Sequence, residues 1–99
     1  MSETLRDAID RAIDAYAALG ELGEEIDDEW SYVNDLGEAW RIRIGTVRGE
    51  RGDEAASPDV SAALDRAIDE IGRIEDPHRA IDWLSTFPQV VLVAIGERP

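Results

Sequence analysis

The chain has 99 residues, which allows one domain with one core (1–99) and is too short for two. It contains no cysteine, which excludes disulfides, thiolate catalysis and thiolate-held metals, and no apolar run approaches the roughly 20 residues that a membrane span needs. Its 23 acids against 10 bases, net −13 with every base an arginine, resemble the composition of proteins from extreme halophiles, whose high salt screens such self-repulsion within about 3 Å at 1 M.

An acidic partner of a basic protein would gather its carboxylates in one place. Here they are spread over helices, loops and turns, which favours salt adaptation. The first residues, MSETLRDAIDRAID, carry charges at helical spacing and lack a secretory apolar core, so the expected location is cytoplasmic, with no membrane contact.

In chain order, Thr4-Leu5-Arg6-Asp7 has the form of a capping box with Asp in place of Glu. Leu5, Ala8, Ile9, Ala12, Ile13, Tyr16 and Leu19 then recur at i, i+3 and i+4, the pattern of an amphipathic helix. Leu22 and Ile26 continue the stripe, so the helix either reaches about Glu25 or breaks at Gly20 and restarts.

The stretch from Glu29 to Arg48 reads as a β-hairpin. Asn34-Asp35-Leu36-Gly37 has turn chemistry, and a three-residue loop closing in a Gly bulge pairs Tyr32 with Trp40 and Trp30 with Ile42. Strand alternation then gathers Trp30, Tyr32, Trp40, Ile42 and Ile44 on an inner face and sends Arg41 and Arg43 outward. The Gly-rich run after Val47 reads as a mobile surface connection.

Ser57-Pro58-Asp59 opens a second helix with Ser at the N-cap, Pro at the first position and an acid facing the dipole. Val60, Ala63, Leu64, Ala67, Ile68, Ile71 and Ile74 form its buried stripe. Asp76-Pro77 starts a short third helix to about Ser85, which Pro88 ends. The final QVVLVAI, bounded by Pro88 and Gly96 and rich in β-branched residues, reads as a strand covered on both faces.

The expected fold is therefore α+β, in the order α-β-β-α-α-β: a three-stranded mixed sheet whose aromatic-faced hairpin packs under two or three helices. DAIDRAID at 7–14 and AALDRAID at 62–69 differ at two of eight positions, but nothing outside the helices repeats, so no duplication is inferred.

Motifs for chemistry are sparse. His78, the single histidine, lies among carboxylates but has no second His or Cys to complete a site. No Ca-loop spacing, nucleophile elbow or phosphate loop occurs, so no catalytic residue, metal or cofactor is expected. Trp30, Tyr32 and Trp40 read as core rather than as a ligand pocket. Arg41, Arg43, Arg48 and Arg51 place four of the ten bases in eleven residues and form the candidate anion or nucleic-acid face.

Val90, Val91, Leu92, Val93 and Ile95 form the candidate dimer strand, an unprotected edge that a two-fold partner would complete. The expected function is a non-catalytic protein-interaction or regulatory module, acting as a homodimer or with a protein partner. Nucleic-acid or anion binding through the arginines is the lesser alternative.

Overall fold

Three helices form where cap chemistry and apolar spacing place them. Helix α1 spans Leu5–Gly23, and the Thr4 hydroxyl accepts from the Asp7 N–H at 3.2 Å. It buries Leu5, Ala8, Ile9, Ala12, Tyr16 and Leu19. Helix α3 spans Pro58–Gly72 with Ser57 Oγ accepting from Val60 N, and helix α4 spans Pro77–Leu84 with an Asp76 carboxylate oxygen accepting from His78 N. The computed structural model describes residues 3–98, those at 27–34 by backbone alone.

The expected hairpin is absent. Residues Asp27–Arg51 form one 25-residue helix, α2. Gly37, Trp40, Ile44, Val47 and Arg51 follow one another at alternating steps of three and four, the stripe of a helix packed along its length, and they are buried or half-buried. Ile42, assigned to the inner face of the hairpin, is instead 63% exposed. Gly37 serves close approach rather than a turn: a Cβ there would lie 2.2 Å from Tyr16 Oη and 2.6 Å from the Leu84 carbonyl oxygen. Of the expected aromatic face, only Trp40 has a described side chain, half-buried against the core; the side chains of Trp30 and Tyr32 lie outside the described residues.

The expected third strand is also a helix, α5, spanning Thr86–Ala94. Pro88 sits at its third position, inside the first turn, where the N–H that proline lacks has no intrahelical partner. Gly96, at φ 87°, ends the helix. Its N–H donates to Val93 O at 3.0 Å while Glu97 N donates to Leu92 O at 2.8 Å, the paired bonds of a Schellman cap. Val91, Leu92 and Ile95 are buried, Val90 is half-buried and Val93 is exposed. The candidate dimer strand therefore winds round the last turns of a helix and its C-cap, with no row of unpaired backbone groups to offer a partner.

The architecture is α-helical throughout. Among the described residues no sheet is present, and the only β-type pairing is an isolated antiparallel bridge between Thr4 and Ala55. Around that bridge, Leu5 N and Arg6 N donate to the carbonyls of Glu54 and Gly52, and Ala56 N donates to Glu3 O. These bonds satisfy leading N–H groups of α1 and fasten the α2–α3 connection that the sequence presents as a mobile run.

Helix α1 packs against all four others, and Ile9, Leu64, Leu84, Phe87, Leu92 and Ile95 fill the space between them. The molecule measures 41 × 24 × 18 Å, and its long axis matches the roughly 37 Å of a 25-residue helix. Among the described residues, no helix is long and apolar enough to cross a membrane.

Candidate functional site

Placing the arginine cluster on a helix disperses it. Positions two apart lie about 200° round a helix, so Arg41 and Arg43 leave α2 on different sides instead of projecting together. Three of the four guanidiniums are occupied by acids of this chain. Arg41 donates to both carboxylate oxygens of Glu38, and Arg48 to both of Asp10, at 2.7 and 3.2 Å. Arg51 reaches Glu54, Glu97 and the Ile95 carbonyl. Arg43 has no ion pair among the described residues. Hydrogen bonds from these arginines, Arg41 to Glu38 and Arg48 to Asp10, hold the carboxyls of Glu38 and Asp10 below the usual acid range.

Two concavities flank α1. The smaller, lined by Tyr16, Arg41, Ile44, Phe87, Pro88 and Val91, has a volume of about 10 Å³, the space of a single water. Beside it the Tyr16 ring stacks on Phe87 with centroids 6.5 Å apart, and its hydroxyl is buried with no hydrogen-bond partner among the described residues. Burial, with the nearby Glu38 carboxylate as a lesser cause, raises the pKa of that phenol.

The larger concavity is a groove of about 190 Å³ between α1 and α3, lined by Ala15, Ala18, Leu19 and Leu22 on one wall and Ile68, Ile71, Gly72 and Ile74 on the other. Its origin is local. Arg11 bridges α1 to α3 by donating to Asp65 at 2.5 Å and to Glu3. Past that bridge, Ala15, Ala18 and Gly72 are too small to fill the space between the helices. The charged positions that helical spacing sets beside the lining are acidic apart from Arg11, which already holds Asp65; Asp14 and Glu21 on α1 and Asp69 on α3 have no ion pair among the described residues. In the sequence, Leu19, Leu22, Ile68, Ile71 and Ile74 are indistinguishable from core. The small residues interleaved with them are the only mark of a trough.

Elsewhere, His78 is exposed, and no cluster of three or more His, Cys, Asp or Glu among the described residues could hold a metal ion. Comparison with protein-family models, curated proteins and solved structures gave no match to this chain.

Proposed function

We propose that this protein is a non-catalytic interaction module adapted to salt, which takes an apolar, basic-flanked helical segment of a partner into the α1–α3 groove. The observation that carries the reading is the groove itself: an apolar trough about 190 Å³ in volume with acids beside both walls. An amphipathic helix buries its apolar stripe in such a trough, and lysines or arginines at its edges face Asp14, Glu21 and Asp69. Nucleic-acid binding through the arginines is the weaker reading, because a phosphate would have to displace a carboxylate at Arg41, Arg48 and Arg51.

A designed leucine–lysine amphipathic peptide, titrated into the protein with amide NMR detection, tests the reading. Shifts are expected at Ala15, Ala18, Leu22, Ile68 and Gly72, with weaker binding of the leucine–glutamate counterpart. Shifts confined to other surfaces, or equal binding of both peptides, would overturn it.

A further inference from the structure

The outward face of α2 differs from every other long helix face in the molecule. From Ala39 to Gly49 it consists of Ala39, Ile42, Gly45, Thr46 and Gly49, all exposed and none charged. The outward faces of α1 and α3 carry Asp7, Asp14 and Glu21, and Asp65, Asp69 and Glu70. The single hydroxyl on the α2 face is turned inward on its own helix, Thr46 Oγ1 donating to Ile42 O at 3.2 Å. Ile42 is the most exposed large apolar residue described.

Gly45 and Gly49 add a second observation. A Cβ at either would meet nothing within 4 Å, so no contact inside the chain asks for glycine. Each nevertheless weakens the helix relative to alanine by about 1 kcal/mol. Glycines four apart on an open helix face let another helix come close.

The charge pattern names the occupant. Two copies of a chain at net −13 repel almost everywhere, yet along α2 Arg41, Arg48 and Arg51 already hold Glu38, Asp10 and Glu54, so the charges left to cross an interface there are Arg43 and Glu50. Arg43 and Glu50 lie on the same edge of the face, seven residues apart, and neither has an ion pair among the described residues. Glu38, four residues before Ile42 on the same stripe, already pairs with Arg41 at the opposite edge.

From this we infer that α2 is a self-association surface, on which a second copy docks antiparallel about a two-fold axis near Thr46. That crossing sets Arg43 of each copy opposite Glu50 of the other and brings Ile42 of each beside Gly49 of its partner, an isologous contact. The surface is separate from the α1–α3 groove, so the two readings stand or fall independently.

Sedimentation equilibrium of the full chain in about 1 M KCl, where the apolar contact persists and net repulsion is screened, tests the inference. A concentration-dependent rise from 10.9 kDa to twice that mass is expected. Gly45→Gln with Gly49→Gln should weaken it at least roughly tenfold. Because glutamine favours helix over glycine, these variants keep the monomer folded, which circular dichroism verifies. At lower salt, Arg43→Glu should weaken association, and adding Glu50→Arg should restore it. A wild type that stays at 10.9 kDa, or a dimer indifferent to the glutamines, would overturn the surface. Failure of the charge swap to restore the dimer would overturn the antiparallel arrangement.

Discussion

At Gly37 one hydrogen in place of a methyl group lets α2 lie against Tyr16 and the end of α4. A Cβ there overlaps Tyr16 Oη and the Leu84 carbonyl, so Gly37→Ala should destabilise by about 1–3 kcal/mol. Gly45→Ala, on the open face of the same helix, should stabilise the dilute monomer by about 0.5–1 kcal/mol. Urea midpoints of the two variants are expected to move in opposite directions, and a shared direction would contradict the placement of α2. Tyr16 presents the converse case: its ring packs on Phe87 but its buried hydroxyl has no partner among the described residues. Tyr16→Phe should therefore raise the urea midpoint, by about 1 kcal/mol of stability, whereas a fall would mean that the hydroxyl is bonded.

The Asp10 carboxyl illustrates the pH linkage. Hydrogen bonding from Arg48 lowers its pKa in the folded state, so the stability this pair contributes is full above the ordinary Asp value. It is lost as pH falls through the lowered one. Wild type and Arg48→Gln should differ in urea midpoint at neutral pH and converge in acid; a difference that persists in acid would remove Asp10 as its source.

The elements divide by how their ends are written. Helices α1, α3 and α4 are legible because Thr4, Ser57 and Asp76 each bond an N–H of the first turn, and the apolar residues behind them keep one helical period. In α2 the signals conflict. Asn34-Asp35-Leu36-Gly37 carries turn chemistry, and Trp40, Ile42 and Ile44 alternate as in a strand. Only tertiary contact, the fit of Gly37 against Tyr16 and of Ile44 and Val47 into the core, selects the helix.

In α5 the punctuation itself has two meanings. Pro88 ends a preceding helix or occupies a first turn, and Gly96 bounds a strand or caps a helix. The Schellman geometry decides for the cap, and Gly96→Ala should cost about 1 kcal/mol or more because alanine resists positive φ. An unchanged thermal midpoint would contradict that cap. The groove was hidden for a related reason: a helix stripe records which residues turn inward, and whether a neighbour fills the space in front of them depends on helix spacing that no single stripe contains.

For the molecule as a whole, the net charge of −13 opposes compaction, and the surface ion pairs are each too exposed to offset it by much. Raising KCl from about 0.05 M to about 2 M, which shortens the screening length severalfold, should raise the melting midpoint. Equal midpoints would remove salt adaptation from the account. The central claim, however, is that an acidic chain with two strand-like stretches folds entirely into helices around α1. Backbone carbon chemical shifts across Glu29–Arg48 and Val90–Ile95 test it most directly. The account predicts helical values running unbroken through Asp35, Leu36 and Gly37 and again from Val90 to Ala94. Extended values on both sides of a break at residues 35–37 would contradict it.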